Sequence, residues 1–298
     1  MSSGASVLYD APGPKARVRH NIYSVLVAIV IVAALYFVYR GFDSKGQFTA
    51  AKWKPFLDSE VWQTYVLPGL RGTIVAAALS IVFALVIGMV FGIARLSDHR
   101  VVRVVAGVIV EFARAIPVLV LMIFLYFYFA KNAVFPSDQL ALAAVVIALT
   151  VYNGSVIAEI VRSGIRSLPR GQSEAAIALG MRKGQLMRIV LLPQAITAML
   201  PAIVSQMVVA LKDSALGYQI GYQEVVRQGQ QLGAAQGNPV PALFIVAAIM
   251  IALNWALSRF AIWLEGRLRS PKRGRVTLAA DSVMTGAAPG LDLTGATR

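Results

Sequence analysis

Six ionisable residues lie inside, or at the ends of, stretches otherwise too apolar for water, and they come as close pairs: Glu111 with Arg114, Glu159 with Arg162, and Lys212 with Asp213. A charge in hydrocarbon is costly, so such a group faces a bundle interior or a polar path and marks a functional position. Glu111 and Arg114 are three apart, as are Glu159 and Arg162, which on a helix places each pair on one face. Each pair can neutralise itself as a salt bridge that locks helices, or take part directly in moving a solute. Arg162 also suits a helix end. Lys212 and Asp213 are neighbours and point in different directions. Lys212 can attract a carboxylate or merely snorkel to the surface, while Asp213 and Ser214 can cap a following element or bind an amine. Asn153 and Gln206 are uncharged polar groups well inside apolar runs, able to hydrogen-bond a zwitterion or to join two helices.

Other chemistries are poorly supplied. The 298 residues contain no cysteine and only His20 and His99, so thiolate metal sites, disulfides and histidine-based catalysis have no material. The carboxylates form no close cluster of oxygen ligands. No Gly-x-x-x-x-Gly-Lys-Ser/Thr loop is present, so the means of hydrolysing ATP is missing. No residue is assigned a catalytic role, and no metal or cofactor is expected on this chain.

The elements that must position these residues are membrane helices. The chain is 58% hydrophobic and 14% charged, where soluble domains carry about 25% charge. The formal charge of +14 sits between apolar runs rather than on one face, which argues against nucleic acid. Six segments approach the roughly 20 apolar residues of a spanning helix: 22–39, 72–94, 104–130, 139–158, 189–211 and 240–258. Several are rich in β-branched residues, but lipid demands internally satisfied backbones and the alternation of a barrel is absent. Segment 22–39 outruns a signal-peptide core, and Arg40-Gly41-Phe42-Asp43 offers no cleavage site, so it reads as a retained helix.

Basic residues alternate from loop to loop. Lys15, Arg17 and Arg19 precede the first segment. Arg95, Arg100 and Arg103 follow the second, and Arg162, Arg166, Arg170, Arg182, Lys183 and Arg188 face only Glu174 after the fourth. The intervening loops are balanced or acidic. With six helices every basic loop falls on one side, which places both termini in the cytoplasm. The divisions read as a cytoplasmic segment 1–21, an added helix 22–40, an extracytoplasmic segment 41–66, a core 67–265, and a basic then disordered tail 266–298. Trp53, Phe56, Trp62 and Tyr65 in 48–66 suit either an amphipathic interfacial helix or an aromatic belt opening the second span.

Between the fourth and fifth segments lies Arg170-Gly-Gln172-Ser-Glu174-Ala175-Ala176-Ile-Ala-Leu-Gly180, followed by Val190-Leu-Leu192-Pro193. Pro169 and Gly171 punctuate a helix start, Ser173 can cap it, the alanines keep one face narrow, and Gly180 permits a sharp bend. Taken alone, these residues suit an ordinary basic loop as well as a docking helix.

Glu174-Ala175-Ala176, Gly180 and Val190-x-Leu192-Pro193 resemble the EAA motif of ABC importer membrane subunits. The likeness covers roughly 65–265. Glu111-x-x-Arg114-x-x-Pro117, Tyr152-Asn153, Glu159-Ile-Val-Arg162-Ser-Gly164, Gly171-Gln172-x-Glu174 and Leu192-Pro193-Gln194-Ala195 with Pro201 are similar to the polar amino acid branch. Lys212-Asp213-Ser214-Ala-Leu-Gly-Tyr218 replaces a Lys-x-Thr-Ser-Leu-like run. That variant and the added first helix resemble actinobacterial glutamate permease subunits. The resemblance implies an all-α integral membrane protein, with an extra N-terminal helix before a five-helix core and cytoplasmic coupling helices. It implies a permease in the cell membrane, forming half of an alternating-access pathway for polar amino acids, glutamate above all. Gln172, Glu174, Ala175, Ala176, Gly180, Leu192 and Pro193 would couple to an ATPase. Glu111, Arg114, Asn153, Glu159, Gln206, Lys212, Asp213 and Ser214 are candidates for the substrate path, with Pro117, Arg162 and Pro201 structural. The implied partners are two cytoplasmic ATPases carrying ATP and Mg2+, a second and different permease chain, an extracytoplasmic amino-acid-binding protein and membrane lipid. An ion-coupled secondary transporter is the rival reading, and leaves the cytoplasmic insert unexplained.

Overall fold

The computed structural model describes residues 13–269; residues 1–12 and 270–298, and with them the tail expected to be disordered, lie outside the described residues. Backbone groups that lipid cannot satisfy are satisfied within helices. In order these are α1 (Pro14–Ser44), the short α2 (Ala50–Trp53) and α3 (Ser59–Val61), α4 (Leu67–Ala94), α5 (Arg100–Ala115), α6 (Val118–Asn132) and α7 (Leu140–Arg166). The short helix α8 (Arg170–Ala178), the single turn α9 (Lys183–Gln185), α10 (Leu192–Asp213), α11 (Val225–Ala235) and α12 (Pro239–Arg269) follow. Five helices are long and apolar enough to cross a membrane, and the pair α5 and α6 makes a sixth span if taken together. The all-α, six-span architecture agrees with the sequence.

The third span is not the single helix expected over 104–130. It bends by 96° between α5 and α6. Pro117 has no N–H to continue the helix and drives Ile116 into extended backbone, with φ −82° and ψ 124°. The first helix also starts earlier than expected, so Lys15, Arg17 and Arg19 belong to α1 rather than to a separate segment. Residues 48–66 do not form one amphipathic helix. Pro55 and Asp58 divide them into turns, and Trp62–Val66 runs into α4 as a π-helical turn. Trp53 and Trp62 donate their indole N–H groups to Gln47 O at 2.9 Å and Phe56 O at 2.8 Å, which fixes the turns.

α7 is the central helix. Its small and branched residues meet a small-residue face of α4, so that Ala84, Gly88 and Gly92 lie against Ile157 and Val161. Without a hydrophobic drive in lipid, such close backbone approach supplies the packing energy. One apolar cluster joins Ala76, Met122, Phe129, Val145, Leu149 and Tyr222; a second joins Ile157, Val161, Ala176, Leu191, Ala195 and Met199. The second lies toward the arginine-rich loops, here termed the basic end. By contrast, α1 has no buried residue, and Tyr39 and Phe42 lie against Phe48, with ring centroids 5.1 and 6.4 Å away.

Candidate functional site

At the basic end the charges predicted as two separate pairs form one network. Arg95, 9% exposed, follows the last turn of α4. Its guanidinium donates to Glu111 Oε1 at 2.8 Å and to Glu159 Oε2 at 2.7 Å, linking α4, α5 and α7. Arg162 donates from Nε to both oxygens of Glu159, at 3.1 and 3.2 Å, and from Nη2 to Oε1. Arg114 lies 3.7 Å from Glu111 and 3.9 Å from Glu159. Each helix pair is therefore real, but Arg95 joins the two. Its charge had read only as an orientation signal, because no spacing in the sequence ties residue 95 to residue 159. Three arginines against two carboxylates leave the cluster net positive, and Arg114 and Glu111 are partly exposed.

In the middle of the bundle Gln206 donates to Asn153 Oδ1 at 2.7 Å, and Asn153 donates to Leu149 O at 2.8 Å. Asn153 is buried, so its amide is committed to tying α7 to α10. Farther along, the Lys212 side chain is exposed. The expected cap by Asp213 is not made, since its side chain bonds no N–H of the following 3-10 turn. Ser214 is buried and donates to Leu211 O at 2.6 Å, so this hydroxyl is spent within the chain. Pro201 sits inside α10, and Ser205 one turn on donates to the Pro201 carbonyl oxygen at 2.9 Å.

The Glu-Ala-Ala stretch forms α8, entered through Pro169 rather than capped by Ser173. It closes with Gly180 at φ +75°, a conformation that favours glycine. Gly180 N–H donates to Ile177 O at 2.9 Å and Met181 N–H to Ala176 O at 3.1 Å. These two bonds are a Schellman ending, and its apolar contact is made by Met181 and Ala176 in one cluster. The fixed interval from Ala176 to Gly180 thus has a geometric cause. Ala176 is buried against Leu186 and Leu191, whereas Glu174 and Ala175 are exposed, as are Ile177 (61%) and Leu179 (83%). Gln194, in α10, donates to Gln172 Oε1 at 3.4 Å. Pro193 opens α10 beside Leu192. Lys183 donates to Leu96 O at 3.0 Å and pairs with Asp98, fastening this insert to the α4–α5 loop.

At the opposite end a buried acid went unnoticed in the sequence. Glu224 accepts from Val226 N–H at 2.8 Å and Arg227 N–H at 2.6 Å, capping α11. Its signal was a lone acid before Val225-Val-Arg-Gln228-Gly-Gln-Gln-Leu232, a helical spacing of buried residues. Burial pushes its carboxyl up to about 7, against the pull of the two backbone N–H groups. Tyr222 donates to Gly72 O at 2.8 Å, and Val225 N–H donates to Thr73 Oγ1 at 3.1 Å, docking this turn on α4.

Among the described residues no group of three or more His, Cys, Asp or Glu is placed to hold a metal ion. Spanning helices, an exposed short helix at a basic end and no nucleotide loop describe a multi-pass transport subunit driven from outside itself. Residues 84–270 match the model of the binding-protein-dependent transport system inner membrane component family, and the chain belongs to that family. It is accordingly the permease subunit of an ABC-type importer, with ATP hydrolysis residing in a separate ATPase. It is 58% identical over 228 residues to the glutamate transport system permease protein GluD of Corynebacterium glutamicum, covering 76% of this chain and 84% of that protein. It is 32% identical to the arginine transport system permease protein ArtQ of Bacillus subtilis, covering 69% and 93%. Among solved structures, an amino acid ABC transporter crystallised with histidines matches with a TM-score of 0.62 at 30% identity, over 67% of this chain and 92% of that one.

Proposed function

We propose that this permease imports acidic amino acids, glutamate foremost, as half of an alternating-access pathway. The observation that carries the reading is the 58% identity to the glutamate permease, against 32% to the arginine permease. The positive-inside rule makes the basic end and both termini cytoplasmic. There α8 offers Glu174, Ile177 and Leu179 to one of two ATPase subunits, while a second, related permease chain supplies the other half of the path. An amino-acid-binding protein delivers substrate to the opposite end.

ATP-driven closure of the ATPases would push α8. Ala176, packed on Leu191, transmits the movement into α10, and Lys183 transmits it to the α4–α5 loop through Asp98. Arg95 carries the same displacement to α5 and α7. Arg114 and Lys212 contribute positive potential along the route of an anion. Asn153 and Gln206, bonded to each other, act as a helix tie that can open.

The test is uptake by the complete complex reconstituted in vesicles, with glutamate competing against glutamine, aspartate, arginine and histidine. Glutamate and aspartate are expected to compete best, and only with ATP inside. Stronger competition by arginine or histidine sinks the substrate assignment, and uptake driven by an ion gradient without ATP sinks the coupling.

A further inference from the structure

Arg71 is the charged residue that neither the network nor the coupling helix accounts for. It stands one turn into α4, within the continuous helical run Ser59–Ala94 and toward the end opposite the arginine-rich loops, and its side chain is exposed. It makes no hydrogen bond or ion pair among the described residues. An arginine within a spanning helix, at the edge of its apolar run and with no partner of its own, is a position at which an external anion can complete the charge balance.

The surroundings are shaped for a small polar solute. Arg71 lines an open cavity of about 570 Å³, together with Gln63, Leu67, Val75, Leu142 and Tyr222. This lies within the range of small-molecule sites, roughly 300–1,000 Å³, and mixes apolar walls with a few polar groups as such sites do. No carboxylate lines it. The wall beside Arg71 is rigid: a Cβ on Gly72 would lie 1.9 Å from Gln223 O, so that backbone and the turn bearing Tyr222 are locked together. Tyr222 already gives its proton to Gly72 O. Its phenolic oxygen can therefore only accept, as an ammonium group requires. Arg71 presents the planar fork that grips a carboxylate in two bonds, and the Gln63 amide can donate a third.

We propose that this cavity is an entry site for an anionic amino acid, with Arg71 as its specificity-determining residue. It receives the side-chain carboxylate of the solute released by the binding protein, before passage into the bundle. The assignment rests on the acidic-substrate reading above and on its sidedness, and it names the residue that would enforce that reading.

Two measurements on the complete reconstituted complex test it. In the first, Arg71→Gln is expected to lower glutamate uptake about ten-fold or more, the size of a lost hydrogen bond to a charged group, and to change glutamine uptake far less. Arg71→Lys, which keeps the charge but not the fork, should recover part of the loss. Equal losses for both solutes, or no loss, overturn the proposal. In the second, Leu142→Cys places in the cavity wall the one thiol of this chain, whose labelling is read on this subunit after the subunits are separated. Its alkylation should be slowed by glutamate and not by lysine, and Arg71→Gln should abolish the protection. Protection by phosphatidylglycerol in place of glutamate would make this a lipid contact and overturn the assignment. Failure of the broader reading looks different: the unaltered complex then takes up no glutamate at all, whereas failure of this site alone leaves unaltered uptake intact.

Discussion

Arg95 depends on partners 16 and 64 residues away, whereas buried Glu224 is held by the N–H groups of the turn that follows it. Arg95 holds two carboxylates on two other helices, while Arg114 reaches the same two carboxylates only at 3.7 and 3.9 Å. Removing one partner of a buried pair typically costs 3–5 kcal/mol. Here Glu111 is half-exposed and Glu159 keeps Arg162, so Arg95→Met is expected to cost about 2 kcal/mol. Arg114→Met should cost clearly less. Thermal unfolding of the purified complex in detergent orders the two, and equal losses would show that Arg95 is not the hub. For Glu224 the sign follows from protons. The native carboxyl titrates near 7 and an ordinary one near 4.5, so the native state holds the extra proton between those values. Its contribution is complete below about pH 4.5 and declines as pH rises to 7, by about 3 kcal/mol at most. Unfolding temperatures should fall over that window in the native chain, and Glu224→Gln should flatten the slope.

Elements give the next scale, and α8 is the clearest case. Gly180 ends it in the left-handed region, and an alanine there is expected to cost about 1 kcal/mol locally. That is too little to unfold the bundle. It is enough to re-aim Ile177 and Leu179, so Gly180→Ala should retain membrane insertion while losing ATPase co-purification. Glu174→Lys should act the same way, by charge at an exposed position. Undiminished ATPase binding and uptake in both variants would sink the docking role. The helix, its glycine ending and the proline at the next helix start were legible between Glu174 and Pro193 because their causes are local, whereas the entry through Pro169 in place of a Ser173 cap was not. The bend between α5 and α6 was half legible. Pro117 stood in the sequence, but hydropathy over 104–130 sees only composition and cannot report a 96° change of direction.

For the whole molecule, the separateness of α1 is the main consequence. No described residue of α1 is buried, and the ring contacts of Tyr39 and Phe42 are with Phe48 in the turn that follows α1. Deleting residues 1–45 is therefore expected to leave the stability of the remaining bundle within about 1 kcal/mol, as for substitutions outside packed features. A large loss of thermal stability in the purified, shortened chain would contradict this independence.

The sequence by itself determined the number of spans, the alternation of charge between their loops and the spacing from Glu174 to Pro193. Those properties depend on composition along one segment or on spacing within one turn. Tertiary structure alone decided that Glu111 and Glu159 share Arg95, that the Gln206 amide donates to Asn153, and that Ser214 is buried with its hydroxyl spent on Leu211. It also decided that Arg71 is left facing a cavity with no anion of its own. The shared Arg95 and the bond between Gln206 and Asn153 are meetings of side chains from different helices, whereas Ser214 turns back locally to Leu211 in a place the bundle buries. A linear pattern names the residues but not which of them remain unpaired.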